Sequence, residues 1–287
     1  MKKIKVFSPA SISNICCGFD VLGFAMEGLG DIISLKKIDK KGVFIKKSTG
    51  FNIPLDIEKN TATVALRAFL DKLDYSYGFE ISIEKNIKPG SGLGSSAASA
   101  VGSVFAANMI LGKPFTLHQL VEFAMAGELI SSESAPADNV ASASYGGIVL
   151  VDNFKKYHVI NLPAPKNVFA VIHHPLIFRS TSESRNQLPK KVSLQSASFQ
   201  LTNIASFVHS LHTSNLEMMK HSLNDHLVQN HRENFYPYFK KIKSISNDLG
   251  SICCSISGSG PSIFSLVGDY KLAEKIKLEI DKEFTNL

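Results

Sequence analysis

The sequence predicts an α+β protein with two domains, residues 1–155 and residues 156–287. Segments that alternate apolar and polar residues, as strands do, interleave with segments of helical apolar spacing in both halves of the chain. A polar, proline-bearing stretch at residues 152–166 separates the two halves. With 287 residues, the chain is long enough for two domains of ordinary size, each with its own core.

The composition is that of a globular protein and predicts no membrane partner. Hydrophobic residues make up 44% of the chain and charged residues 20%, as in proteins with a packed core. No apolar run approaches the roughly 18 residues that span a bilayer. The first residues, MKKIKVF, lack the apolar segment of a signal peptide. The expected location is therefore the cytoplasm.

The net charge of the chain is positive but does not indicate a nucleic-acid-binding protein. The chain has 31 basic and 25 acidic residues, which gives a formal charge of +6. Its lysines are scattered and no basic tract is interleaved with aromatic residues, so we expect a solvated basic surface and no nucleic-acid partner.

The four cysteines form two adjacent pairs, Cys16-Cys17 and Cys253-Cys254. Adjacent cysteines lack the Cys-x-x-Cys spacing of metal sites, which favours reduced thiols.

The first half is expected to begin with a strand at residues 4–7 and a polar loop at residues 8–22. A helix is expected at residues 60–73, where Asn60 is suited to cap the first turn. The small side chains of residues 131–144 are expected to form a loop. Further strands are predicted at residues 32–38, 43–47, 78–84 and, after a turn, 145–151, and further helices at 97–111 and 117–130.

The second half is expected to contain fewer strands and more helix. A strand at residues 168–173 precedes a polar loop at residues 179–185. Two short strands at residues 252–256 and 263–267 flank a glycine-rich loop at residues 257–261. Helical segments are predicted through about residues 193–230, and an amphipathic helix at residues 271–284.

The most informative stretch is residues 89–98, which read PGSGLGSSAA and lie between a predicted strand and a predicted buried helix. Glycines let the backbone bend and let a ligand approach it closely. The free N–H groups and the dipole of a helix N-terminus favour an anion. The stretch therefore predicts a phosphate-binding loop. It is not a Walker-A loop, and the alternative is a plain strand-to-helix connection with a serine N-cap.

Three loops together, at residues 8–20, 89–98 and 257–261, resemble the GHMP kinase family of small-molecule kinases. The central loop matches the family pattern Pro-x-x-x-Gly-Leu-Gly-Ser-Ser-Ala-Ala at every fixed position, and the order and spacing agree over essentially the whole chain. The resemblance implies a two-domain fold. Its N-terminal domain would be similar to domain 2 of ribosomal protein S5, and its C-terminal domain would be a ferredoxin-like α/β sandwich.

Within this family, residues 9–14, 18–23 and 138–141 resemble members that act on L-homoserine. Ser180-Thr181 with Arg185 resembles their later substrate loop. The resemblance implies that ATP, with Mg²⁺, phosphorylates the side-chain hydroxyl of L-homoserine, a step of threonine biosynthesis. It also makes a homodimer an expectation.

The resemblance further implies a role for individual residues. Asp20 would bind the substrate ammonium, and Arg185 and Arg232 its carboxylate. Asp138 and Asn14 would lie near the attacking hydroxyl. The other implied contacts are Asn139 and Thr181 for the substrate; Asn60 for adenine; Pro89, Gly90, Ser91, Gly92, Leu93, Gly94, Ser95, Ser96 and Ala97 for the phosphates; Gly258, Ser259 and Gly260 in the late glycine loop; and Ser96 and Glu128 for Mg²⁺.

The chain departs from the family pattern at Pro136, where such kinases often have a histidine two residues before Asp138. The loss of a histidine donor would alter how the substrate is held. Arg232 is flanked by residues that match the pattern poorly, and it could instead pair with Glu233. The alternatives are a GHMP kinase for mevalonate, shikimate or a sugar, a non-catalytic nucleotide-binding relative, and a basic nucleic-acid-binding module.

Overall fold

The computed structural model describes residues 2–130, 136–152, 154–175, 177 and 181–284. The side chains of residues 181 and 182 are not part of that description. The expected substrate-loop residue Ser180 lies outside the described residues. None of the helices in this part of the chain combines the length and the apolar character that crossing a bilayer requires.

The described residues group by their contacts into two compact units. The first unit comprises Met1–Ser13 and Asp20–Asn161, and the second comprises Asn14–Phe19 and Leu162–Leu287. The short segment between β1 and β2 therefore belongs, by its contacts, with the later part of the chain. The domain division expected after residue 155 stays a prediction.

The first unit is a mixed sheet with helices packed against it. In sheet order, β3, β4, β2, β5 and β6 are neighbours, and β1 pairs with β2. Strand β2 runs antiparallel to β1, β4 and β5, while β3 runs parallel to β4. The elements are β1 (Lys3–Ser13), β2 (Leu22–Ile38), β3 (Gly42–Gly50), α1 (Thr61–Leu70), β4 (Gly78–Lys85), α2 (Ser95–Ile110), α3 (Leu117–Glu128), α4 (Asp138–Tyr145), β5 (Ile148–Asp152) and β6 (His158–Leu162).

Strands β1 and β2 are longer than predicted, and the loop expected at residues 8–22 is wrong for its first six residues. Ser11 pairs with Ala25 in the ladder between the two strands, and its side chain is fully buried. The first part of β2 was not predicted as a strand because it contains glycines, which are typical of turns. A Cβ atom at Gly30 would lie 2.4 Å from the ring of Phe7, so close strand packing requires glycine there.

Helix α4 corrects a second prediction, since residues 138–144 were expected to form a loop. The small side chains of this segment, which suggested a loop, instead let the helix pack closely against β2. Ser142 Oγ donates a hydrogen bond to the Asp138 carbonyl oxygen at 2.7 Å, and a Cβ atom at Gly23 of β2 would lie 2.4 Å from that hydroxyl. Residues 131–135 of the expected loop lie outside the described part of the chain. Strand β6 was not predicted.

The core of the first unit lies among α1, α2, α3 and the sheet. The rings of Phe69, Phe115 and Phe123 meet edge to face, with centroid separations of 4.9 to 5.5 Å. Helix α2 is buried on nearly all sides, as its apolar sequence predicts. The predicted N-cap at Asn60 is confirmed, because its side chain accepts hydrogen bonds from the Ala62 and Thr63 amides.

The second unit contains a three-stranded antiparallel sheet in the order β7, β9, β8. The expected loop at residues 179–185 is wrong where α5 forms, and α9 was not predicted. Phe239 and Ile242 of α9 pack on Ile256 and Ile276 in the core of this unit. The elements are β7 (Phe169–His173), α5 (Thr181–Asn186), α6 (Leu194–Thr213), α7 (Leu216–Ser222), α8 (Gln229–Arg232), a 3-10 turn (Glu233–Phe235), α9 (Phe239–Asp248), β8 (Cys253–Ile256), β9 (Ile263–Val267) and α10 (Tyr270–Phe284).

Candidate active site

The central glycine loop (residues 86–94) connects β4 to α2. Gly90, Gly92 and Gly94 have φ angles of 72°, 79° and 63°, a region that side chains disfavour. Gly94 also has no room for a side chain, since a Cβ atom there would lie 2.0 Å from Ser11 Oγ. The loop therefore requires glycine at its last position for two independent reasons.

The start of α2 is open rather than capped. The N-cap residue is Gly94, which has no side chain to cap the first turn. A serine N-cap, the alternative to a phosphate-binding loop, is therefore wrong. Ser95 is the first helical residue, and its Oγ donates to the Ile87 carbonyl oxygen at 2.8 Å. The first-turn N–H groups of a helix bind anions when no side chain occupies them.

A hydroxyl and a carboxylate meet beside this helix start. Ser96 Oγ donates to Glu128 Oε2 at 3.0 Å, and Glu128, the last residue of α3, is only 9% exposed. Burial raises the pKa of Glu128 to about 7, although the Ser96 hydrogen bond and the Lys85 charge act in the opposite direction. Two hard oxygen atoms beside a helix start that can bind an anion are a donor set that fits Mg²⁺.

A buried ion pair lies next to the central glycine loop. No sequence pattern indicates it. Lys85, the last residue of β4, is 2% exposed and pairs with Asp31 of β2, which is fully buried. Burial lowers the pKa of Lys85, while the Asp31 carboxylate raises it. The two residues are 54 positions apart, so no local motif could have identified them.

Asp138 and Asn139 begin α4, and Asn139 is bound to β1. Asp138 is 1% exposed, and its Oδ1 accepts a hydrogen bond from the Asn139 amide at 2.8 Å. The Asn139 side chain accepts from Ser11 Oγ at 2.8 Å and donates to Ser13 Oγ at 3.2 Å. These contacts place the start of α4 next to β1 and, through Ser11, next to the end of the central glycine loop.

Asp20 and Pro136 line one cavity in the first unit. Asp20 is partly buried and has a φ angle of 62°. The cavity has a volume of about 270 Å³, and Lys155 and Lys156 also line it. It is large enough for a small amino acid, and two carboxylates, of Asp20 and Asp152, line it together with the two lysines.

Asn60, the expected adenine contact, uses its side chain within the fold. It is 3% exposed, and its Nδ2 donates to the Pro54 carbonyl oxygen at 2.7 Å while its Oδ1 caps α1. A contact between Asn60 and adenine stays a prediction. Thr181 is the first residue of α5, and its side chain lies outside the described part of the chain.

In the second unit, both predicted carboxylate-binding arginines lie beside one aromatic ring. The guanidinium carbons of Arg185 and Arg232 lie 5.7 and 5.5 Å from the centre of the Phe19 ring, within the range of a cation–π interaction. Arg232 is buried, and it donates to the Gly258 carbonyl oxygen. No local sequence pattern indicates this position of Phe19, because the two arginines lie more than 160 positions away along the chain.

The late glycine loop (residues 257–261) is bound from several sides within the second unit. Asn14 Nδ2 donates to the Gly258 carbonyl oxygen at 3.2 Å. The Tyr236 hydroxyl donates to the Ser259 carbonyl oxygen at 2.5 Å, and a Cβ atom at Gly260 would lie 2.5 Å from the Tyr236 ring. Asn14 has a φ angle of 73° and begins a run of three residues with positive φ. Such strain persists where surrounding contacts hold it, often at functional sites.

The four cysteines are free and buried, and all belong to the second unit. A hydrogen bond between the Cys16 and Cys253 thiols, together with burial, raises the pKa of Cys253 well above its usual value. Burial also raises the pKa of the Cys17 and Cys254 thiols, as expected for reduced cysteines that serve packing.

Comparisons with known proteins identify the family. The family models for the GHMP kinases N terminal domain and the GHMP kinases C terminal match residues 60–147 and 206–286. Homoserine kinase of Chlorobium phaeobacteroides strain BS1 is 35% identical over 100% of this chain and 93% of its own length. That of Chloroherpeton thalassium is 36% identical over 99% of this chain and 93% of its own length.

A solved structure extends the likeness to three dimensions. The crystal structure of homoserine kinase from Cytophaga hutchinsonii aligns with a TM-score of 0.94 at 42% identity, covering 99% of this chain and 91% of that one. The two-domain fold expected from the three glycine- and serine-rich loops is confirmed. The chain therefore belongs to the GHMP kinase family and, within it, to the homoserine kinases.

Proposed function

We propose that this chain transfers the γ-phosphoryl group of ATP to the side-chain hydroxyl of L-homoserine and forms O-phospho-L-homoserine for threonine biosynthesis in the cytoplasm. The observation that carries the proposal is the open start of α2 with Ser96 and Glu128 beside it. The names of relatives that align over nearly the whole chain support the choice of substrate.

The central glycine loop and the first turn of α2 would hold the phosphates of ATP. Three positive-φ glycines let the loop curve around a phosphate, and the helix N-terminus favours negative charge. Ser96 and Glu128 would hold Mg²⁺, which neutralises charge on the transferring phosphoryl group when it is bound. Because burial raises the pKa of Glu128 to about 7, the carboxyl must lose its proton before it can act as a ligand.

Recognition of L-homoserine would require a carboxylate for its ammonium group and a cation for its carboxylate. Asp20 is the proposed ammonium contact, and it lines the cavity described above. Arg185 and Arg232 are the proposed carboxylate contacts, and the Phe19 ring beside both guanidinium groups supports them in orientation. Thr181 and Asn139 stay proposed substrate contacts.

Asp138 and Asn14 would act on the hydroxyl that attacks. Phosphoryl transfer depends mainly on alignment and charge stabilisation, so orienting that hydroxyl is the main task left to these side chains. Asp138 lies in the first turn of α4, and its carboxyl group is the proposed hydrogen-bond partner of that hydroxyl.

The experiment that tests this proposal is ADP release by the purified protein with L-homoserine, L-serine or L-threonine, with and without Mg²⁺. We expect turnover with L-homoserine that requires Mg²⁺ and falls strongly with the two other amino acids. Mevalonate, shikimate and a hexose belong in the same panel. Faster turnover of any of these would contradict the proposal that L-homoserine is the substrate. ATP binding without any phosphorylated product would contradict the proposed kinase activity. Sedimentation of the same sample tests the proposed homodimer.

A further inference from the structure

The Asp31–Lys85 pair has no role in the chemistry proposed above, although it is among the most buried groups of the first unit. Lys85 Nζ donates to Asp31 Oδ2, and the two side chains are 2% and 0% exposed. Removing two charges from water is costly, and a buried pair is weak evidence for stability. The residues that the pair contacts therefore matter more than the pair itself.

Asp31 holds the beginning of the central glycine loop. Its Oδ1 accepts hydrogen bonds from the backbone amides of Asn86 and Ile87, at 2.9 and 3.1 Å. These are the first two residues after β4. Hydrogen bonds to a charged acceptor are stronger than neutral ones, so the loop leaves the sheet from a fixed point.

Lys85 holds the other end of the same loop. Its Nζ donates to the Ser95 carbonyl oxygen and, at 2.8 Å, to Ser99 Oγ. Ser95 is the first residue of α2, and Ser99 lies one turn later. One ion pair thus binds both ends of a loop that contains three glycines.

We propose that the Asp31–Lys85 pair is a positioning device that fixes the central glycine loop and the first turn of α2 for triphosphate binding. The inference rests on the proposed function, because that function makes the loop a phosphate site. Glycine-rich loops lose much conformational entropy when they are ordered. A loop whose two ends are already bound has less to lose when a ligand arrives, so affinity for the nucleotide is higher.

The test variant is D31N/K85M. Lys85→Met alone leaves a buried carboxylate without its cation and is expected to unfold the protein. The double variant removes both charges, yet an asparagine oxygen can still accept from the amides of Asn86 and Ile87. We expect a folded protein whose KM for ATP rises about tenfold, the effect of one lost hydrogen bond from a charged donor. The KM for L-homoserine should change less than about twofold.

Hydrogen–deuterium exchange without nucleotide provides a second measurement that does not depend on activity. Amides of residues 88–97 should exchange about tenfold faster in D31N/K85M than in wild type, again as expected for one lost charged hydrogen bond. Lys46→Met is the matched control, because it breaks an exposed pair with Glu80 between β3 and β4. It should change neither the exchange rates nor the KM for ATP.

Wild-type protein without ATP turnover would overturn the proposed function, while the exchange comparison would still decide this inference. Exchange rates and a KM for ATP equal to wild type in D31N/K85M would overturn the inference. Ser99→Ala takes the place of the double variant if the latter does not fold, because it keeps both charges and removes the hydroxyl that Lys85 and Asp31 both contact in α2. Unchanged exchange at Ser95 and Ser96 in this variant would contradict the inference equally.

Discussion

Glu128 should make the nucleotide-free protein less stable as the pH rises, and Glu128→Gln should remove that loss. Burial raises the pKa of Glu128 from 4.5 to about 7 in the folded protein. Folding therefore favours the protonated carboxyl. The stabilisation by this group is complete below pH 4.5 and is lost as the pH rises through about 7. Glutamine is neutral at every pH and can still accept the Ser96 hydrogen bond.

The expected magnitude follows from the pKa difference. At about 1.36 kcal/mol per pH unit, the whole effect amounts to about 3 kcal/mol. About 2 kcal/mol of it should be lost between pH 5.5 and pH 8. Relative to wild type, E128Q should therefore gain about 2 kcal/mol in free energy of unfolding over that interval. Other titrating groups are common to both proteins, so they cancel in the comparison.

Urea unfolding of both proteins at pH 5.5 and pH 8, without nucleotide or divalent metal, measures the difference. Glu84→Gln is the control, since its side chain is 50% exposed and its ion-pair partner, Lys5, is a lysine. That variant should follow wild type within about 0.5 kcal/mol at both pH values, as surface substitutions usually do. A stability difference between E128Q and wild type that does not change with pH would refute the reasoning on burial.

Three further substitutions test the site. Gly94→Ala should lower the affinity for MgATP at least tenfold, because its Cβ atom would lie 2.0 Å from a serine hydroxyl and its φ angle is 63°. Asp138→Asn should lower kcat less than about tenfold if the carboxylate only orients the hydroxyl, since essential base catalysis contributes roughly 10²–10⁴-fold. Phe19→Leu should raise the KM for L-homoserine about fivefold, because a cation–π interaction contributes roughly 0.5–2 kcal/mol.

Each of these has its own check. Gly112→Ala is the control for Gly94→Ala, because Gly112 also has a positive φ angle but nothing lies within 4 Å of its added Cβ atom. Equal MgATP affinity in the two variants would contradict the steric argument. A loss of kcat of a hundredfold or more in Asp138→Asn would establish Asp138 as a base. For Phe19→Leu, a change in the KM for ATP as large as that for L-homoserine would argue against a role confined to the amino acid.

The parts of the site that could be predicted are those encoded within short segments. The central glycine loop and the N-cap at Asn60 follow from residue types at fixed spacing, because the chemistry and the backbone geometry are both local. The first part of β2, residues 22–31, could not be predicted in this way. Its glycines are required by the Phe7 ring and by Ser142, which are brought near only by the fold.

Long-range contacts explain the other gaps. The ion pair of Asp31 and Lys85 joins residues 54 positions apart, and an isolated lysine at a strand end predicts a solvated charge. The expectation that residues 138–144 form a loop failed because small side chains also suit a tightly packed helix. The alternative in which a serine caps α2 is wrong because Gly94, with its positive φ angle, occupies the N-cap.

The most direct test of the central claim is to map bound nucleotide onto the backbone amides at the start of α2. Two-dimensional amide spectra of the isotopically labelled protein would be recorded during titration with Mg²⁺ and a non-hydrolysable ATP analogue. We expect the amides of residues 90–97 to shift most within the first unit. Saturable binding that leaves those amides unshifted would contradict that claim.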